Sequence, residues 1–112
     1  MLARTPEPPY VAVIFTSLRT EDDPAGYDAM AAEMERLGAQ QPGYLGIESA
    51  RGSDGLGITV SYWRTVEEAR AWKGVSEHAA AQRLGRERWY RMFRVRIAEV
   101  VREYGFARES VI

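Results

Sequence analysis

The residues Tyr10 to Ser17, Tyr-Val-Ala-Val-Ile-Phe-Thr-Ser, form a β-branched and aromatic run that is apolar at odd and even positions alike. A strand sends alternate side chains to opposite faces of its sheet, so this run fits a strand covered above and below. The chain must therefore build a sheet with two covered faces. Residues 1–9 before it carry Pro6, Pro8 and Pro9 and cannot hold a regular ladder, and a flexible lead-in is expected there.

The elements that follow are punctuated by caps and turns. Asp22-Asp23-Pro24 offers side-chain acceptors and then a Pro at the first helical position, and Tyr27, Met30, Met34 and Leu37 recur at helical spacing as one apolar stripe. Gly38 and then Gln41-Pro42-Gly43 end this helix. Tyr44 to Arg51 and Leu56 to Trp63 read as strands, joined by Gly52-Ser53-Asp54-Gly55 as a hairpin turn. Thr65-Val66-Glu67-Glu68 has the form of a capping box, with Val66, Ala69 and Trp72 on the buried side of the helix it opens. Gly74 is expected to interrupt that helix, and Ser76 to cap a second segment running to about Tyr90. Met92 to Tyr104 alternates with a period of two and reads as a long last strand.

The order is β-α-β-β-α-β, which packs as a ferredoxin-like α+β domain: an antiparallel sheet with its helices on one face. One domain is expected over residues 10–106, with a tail at 107–112. Strict alternation puts Val11, Val13, Phe15, Leu45, Ile47, Ile58, Val60, Tyr62, Phe93, Val95 and Ile97 under the helices. The opposite set is Tyr10, Ala12, Ile14, Tyr44, Glu48, Thr59, Ser61, Trp63, Arg94 and Arg96. That mixture is too sticky for open water and too polar for a core, and a self-complementary homodimer interface near Ile14, Trp63, Arg94 and Arg96 fits it.

Composition narrows the function. Lys+Arg 15 against Asp+Glu 16 gives a formal charge of −1, with no bulk positive field to gather nucleic acid or an anionic membrane. The absence of cysteine rules out disulfides, thiolate metal sites and a thiol nucleophile, and fits a reducing, cytoplasmic setting. The start shows no signal-peptide pattern, and no apolar run approaches the roughly 20 residues that span a bilayer.

The chemistry-bearing side chains are densest between Tyr62 and Tyr90, where all three Trp residues and the single His lie. On a helix over Ser76 to Tyr90, His78, Gln82, Gly85 and Trp89 would share one face. This suggests a slot for a flat apolar ligand, stacked on Trp and oriented by His78 and Gln82. The plainer reading makes Trp72 and Trp89 core anchors and His78 a satisfied histidine. One His with scattered carboxylates offers no metal-ligand cluster. Gly52 to Gly57 joins two strands rather than opening a helix, so it is not a phosphate loop, and Ser17, Ser61 and Ser76 have no triad partners. Arg83, Arg86, Arg88 and Arg91, interleaved with Glu87, read as a solvated face.

The strand Tyr10 to Ser17, the turn Gln41-Pro42-Gly43-Tyr44, the stretch Gly57 to Trp63, and Trp72-Lys73 followed by Glu77-His78 and Ala81-Gln82 resemble the antibiotic biosynthesis monooxygenase (ABM) domain family. The resemblance covers nearly all of the chain from Tyr10 to Phe106. It implies a dimeric α+β barrel, in which two such sheets pack face to face. Some members oxidise polycyclic aromatic polyketides with O2 and no cofactor, and others degrade haem. In the haem branch an Asn on the first strand, a Trp on the second helix and a later His are expected. Here Trp72 matches the Trp, Phe15 lies about where the Asn stands and Gln82 about where the His stands, with His78 one turn earlier, so the expected axial ligand is missing. The cofactor-independent branch implies a base, oxyanion donors and a dry aromatic slot. On that resemblance His78 is the candidate base, Gln82 and Tyr62 are candidate donors, and Trp63, Trp72, Trp89 and Phe15 are candidate walls. A non-catalytic dimer of the same fold that binds a small molecule is the alternative.

Overall fold

The computed structural model describes residues 2–82 and 86–108, with the side chains of residues 80–87 outside that description. Its elements are β1 (Tyr10–Arg19), α1 (Pro24–Ala39), β2 (Tyr44–Arg51), β3 (Leu56–Trp63), α2 (Val66–Gln82), a single turn α3 (Arg86–Trp89) and β4 (Tyr90–Val100). The four strands form one sheet in the order β2-β3-β1-β4, with every neighbouring pair antiparallel. This is the expected ferredoxin-like arrangement, and it makes the doubly apolar β1 an inner strand.

Local chemistry explains the boundaries. The Asp23 carboxylate accepts a hydrogen bond from the Gly26 N–H at 3.2 Å and caps α1, with the Asp23 backbone left-handed at φ 46°. At α2 the Glu68 N–H donates to Thr65 Oγ1 at 3.1 Å, half of the expected capping box. The hairpin closes through Gly52 N–H to the Leu56 carbonyl at 2.9 Å, with Gly55 at φ 90°, a value that favours glycine. Among the described residues no helix is long and apolar enough to cross a membrane.

Several expectations are corrected. Gly74 does not interrupt α2, and Ser76 caps nothing: its hydroxyl donates to the Lys73 carbonyl at 2.9 Å inside a continuous helix. The last strand begins two residues early, at Tyr90, and ends at Val100. The largest correction is the phase of β3. Residues directly opposite across a ladder share a face, and Trp63, Ser61 and Thr59 pair with Val11, Val13 and Phe15. These three therefore lie under the helices, and Ile58, Val60 and Tyr62 lie on the open face. A register shift between Tyr44 and Gly46 likewise carries Tyr44 to the helix side, where it pairs with Trp63.

Trp63 becomes the centre of the core. It is 0% exposed, clusters with Val11, Val13 and Ala69, stacks on Trp72 at 5.7 Å and meets Tyr44 edge-on at 5.6 Å. Its Nε1 donates to Ser61 Oγ at 2.9 Å, so the buried indole and the buried hydroxyl satisfy each other.

The lead-in is tied to the open face. The Ala3 N–H donates to Glu48 at 2.9 Å, Tyr62 donates to the same carboxylate at 2.7 Å, and Tyr10 donates to Glu103 at 2.8 Å. Elsewhere on this face Arg94 and Arg96 stand opposite Thr16 and Ile14, and Leu56, Ile58 and Met92 remain 50%, 46% and 64% exposed.

Candidate functional site

Between α1, α2 and the helix-covered sheet face lies a cavity of about 510 Å³. Met30 and Met34 of α1 and Trp72 of α2 form its helical walls, and Phe15, Phe93 and Val95 form its floor. These positions follow from the periodicities: the α1 stripe supplies the methionines, and alternate residues of β1 and β4 supply the floor. Gly38 allows the end of α1 to approach the wall, since a Cβ there would already stand 3.4 Å from the Trp72 ring. Phe15 and Phe93 lie 5.5 Å apart, and Tyr90 meets Phe15 edge-on at 5.4 Å.

One end of this cavity is polar. Arg51, at the end of β2, donates from Nη2 to Ser17 Oγ at 2.8 Å and to the Tyr27 hydroxyl at 3.0 Å, and from Nη1 to the Gly55 carbonyl. The Arg19 guanidinium lies over the Tyr27 ring, 3.9 Å from its centroid. The Tyr90 and Tyr27 rings are 5.9 Å apart. Burial pushes the Tyr90 phenol well above the usual tyrosine range, the neighbouring Tyr27 adds to this, and Arg51 and Arg19 only partly oppose it. Tyr90 therefore stays a proton donor at any ordinary pH. The arrangement provides aromatic walls, two cations and phenolic hydroxyls around one volume, a set suited to a flat molecule that carries or develops negative charge on oxygen.

The expected site residues are divided by the fold. Trp72 and Phe15 line the cavity. Trp63 is in the core and does not reach it, and Tyr62 is on the opposite sheet face, bound to Glu48. Trp89 is buried beside Tyr27, with ring centroids 6.5 Å apart, and is not among the lining residues. His78 is exposed on α2 and is likewise not among them. The Gln82 side chain lies outside the described residues. Arg51, Ser17, Tyr27 and Tyr90 were not foreseen as a group because they come from four separate segments. The one signal was Gly57 placed to face Arg51 across the hairpin, which is readable only after the pairing is known.

Haem is poorly suited to this cavity. The single imidazole of the chain points elsewhere, and the position matching the family's Asn is the apolar Phe15. Among the described residues no three His, Cys, Asp or Glu side chains converge as a metal site.

No family model matches the chain. YqjZ, an uncharacterised protein of Bacillus subtilis (strain 168), is 50% identical over 102 residues, covering 91% of this chain and 89% of that protein. Among solved structures, SnoaB, a cofactor-independent oxygenase from Streptomyces nogalater, superposes with a TM-score of 0.68 over 85% of this chain and 95% of its own, at 14% identity. A Bordetella bronchiseptica protein assigned by name to the antibiotic biosynthesis monooxygenases gives 0.65 over 84% and 99%, at 18% identity. At such identities the likeness to these two is one of fold.

Proposed function

Because the chain belongs to the family of YqjZ and folds as the antibiotic biosynthesis monooxygenase-like proteins do, we propose that it binds a flat aromatic molecule between helices and sheet and oxidises it with O2, without metal or flavin. The observation that carries this reading is the cavity itself, walled by Met30, Met34, Trp72, Phe15 and Phe93 and cationic and phenolic at one end.

The chemistry needs little beyond that. A substrate with an activated CH2 beside a conjugated carbonyl loses a proton, and its negative charge spreads onto the carbonyl oxygen. Arg51 and the Tyr90 hydroxyl favour that oxyanion, and the carboxylate of Glu35 on the cavity lining accepts the proton. The carbanion gives an electron to O2, and recombination with the resulting superoxide forms a C–O bond and a hydroperoxide. Loss of water then leaves a ketone, so that CH2 and O2 become C=O and H2O. The apolar walls keep bulk water from the carbanion.

An oxygen electrode with an anthrone as probe tests the reading. We expect one O2 consumed per anthrone, unchanged by a metal chelator. Binding of the probe without O2 uptake above the uncatalysed rate refutes oxygenation. The second reading, a non-catalytic binder, is favoured by the placement of His78, since no imidazole base faces the cavity. In either case His78→Ala is expected to leave probe affinity within about twofold, as it removes nothing from the lining.

The open sheet face supports a homodimer as the working form, with Leu56, Ile58 and Met92 covered by the same face of a second copy. Light scattering at micromolar concentration is expected to give twice the chain mass, and Ile58→Asp to give a monomer. A monomeric native chain refutes this proposal.

A further inference from the structure

We infer that Arg51 is an anion anchor, and that the cavity's ligand is a planar aromatic molecule bearing an anionic oxygen at one end. The inference rests on reading the cavity as an aromatic site, and goes beyond it by naming the ligand's charge and the residue that selects it.

The position of Arg51 is built rather than incidental. It faces Gly57 directly across the β2–β3 ladder. A Cβ on residue 57 would lie 2.5 Å from Arg51 Cζ, 2.7 Å from Nη2 and 2.9 Å from Nε, so the missing side chain is the room in which the guanidinium lies down on the sheet. Ser17, itself 1% exposed, and Tyr27 hold it there from β1 and α1. Each partner of the guanidinium is a neutral oxygen: a hydroxyl, a phenol and the Gly55 carbonyl. These bonds engage three of the five N–H donors that an arginine carries, which leaves two for a ligand.

Charge balance makes the case stronger. Among the described residues no carboxylate forms an ion pair with Arg51, and Arg19 beside it has only Asp28, at 4.0 Å and mostly in water. The carboxylates on the cavity lining are those of Asp28, Glu35 and Glu77; Glu77 is paired with Lys73 at 3.3 Å, and none of the three forms an ion pair with Arg51. A half-buried guanidinium cannot give up its proton to escape desolvation as a lysine can, so the site keeps its positive charge. An anionic oxygen supplies the missing partner with charge-assisted hydrogen bonds, and the aromatic lining of Phe15, Phe93 and Trp72 confines the ring that carries it.

Calorimetric titration with 2-naphthoate and its neutral isostere 2-naphthamide tests this. The native chain is expected to bind the acid at least about tenfold more tightly. Arg51→Gln is expected to abolish that preference while leaving naphthamide affinity within about twofold. Gly57→Ala, which keeps the charge but fills its pit, is expected to reduce the preference as well, so the conclusion does not depend on one variant folding. The anion's source is separated by 2-naphthol: a phenolate-selecting site lowers the naphthol pKa on binding, whereas a carboxylate-selecting one leaves it unchanged. Equal affinities in the native chain overturn the anion anchor while leaving an aromatic site standing. A preference that survives in Arg51→Gln overturns the assignment to Arg51, and failure of both probes to bind overturns this inference together with the reading it rests on.

Discussion

Replacing Trp63 by Ala is the perturbation that most directly tests how the fold and the cavity are joined. The indole is fully buried, stacked on Trp72, edge-on to Tyr44 and hydrogen-bonded to Ser61. Deleting a buried Trp side chain costs about 3–5 kcal/mol in lost transfer energy and residual cavity. The Ser61 hydroxyl, buried and stripped of its donor, adds about 1 kcal/mol. A loss of roughly 4–6 kcal/mol is a large part of the stability of a domain this size, and lowers Tm by about 15–25 °C. Trp72 offers an internal comparison, because it is only half-buried and borders the cavity, so its truncation leaves no closed void. About 2 kcal/mol is expected for Trp72→Ala, from the same area argument. Urea unfolding read by circular dichroism at matched protein concentration measures both, with unchanged slope as the sign that the native state is intact. A Trp63→Ala loss below about 2 kcal/mol, or a Trp72→Ala loss exceeding it, would refute the placement of the core centre.

Three further outcomes are expected. Gly74→Ala should stabilise the chain by about 0.5–1 kcal/mol in the same unfolding assay, because a Cβ there meets nothing within 4 Å and α2 runs straight through the position. Asp23→Ala should lose about 1–2 kcal/mol through the cap and the left-handed backbone at φ 46°, and Asp23→Gly should lose less because it keeps the backbone freedom. Burial first, then the hydrogen bond and charge of Glu48, push the Tyr62 phenol up from 10.0 to about 12. The folded state holds that proton more tightly than the unfolded chain, so this contribution is fully present below pH 10 and is lost between pH 10 and 12. Urea midpoints across that range should fall more steeply in the native chain than in Tyr62→Phe, and parallel curves would contradict the shift.

The architecture was largely legible because each boundary carries its own local chemistry. Asp23 and Pro24 open α1, Thr65 and Glu68 open α2, and Gly52 to Gly55 turn the hairpin, none of which needs a distant contact. The phase of β3 was not legible, because its more apolar set, Ile58, Val60 and Tyr62, faces the open side while Thr59 and Ser61 lie under the helices with Trp63, and alternation fixes a face only when one side of the sheet is polar. Partial burial on both faces removed that contrast, and the register shift at Tyr44 removed it again one strand away. In the site, Trp72 and Phe15 were legible as large aromatics on a helix and a strand that face each other. Arg51 was not, since an arginine at the end of a strand reads as a solvated terminus until Gly57 is seen opposite. The length of α2 was misread for a simpler reason: glycine costs a helix about 1 kcal/mol, and the flanking turns outweigh that.

The stacked pair of Trp63 and Trp72 has an optical consequence. One indole is sealed in the core and the other forms a wall of the cavity, yet their rings lie 5.7 Å apart at an interplanar angle of 23°. At that separation excitation passes between them faster than either emits, so the pair behaves as one chromophore with a dry end and a ligand-facing end. Whatever occupies the cavity is thereby reported in the light of a residue it never touches.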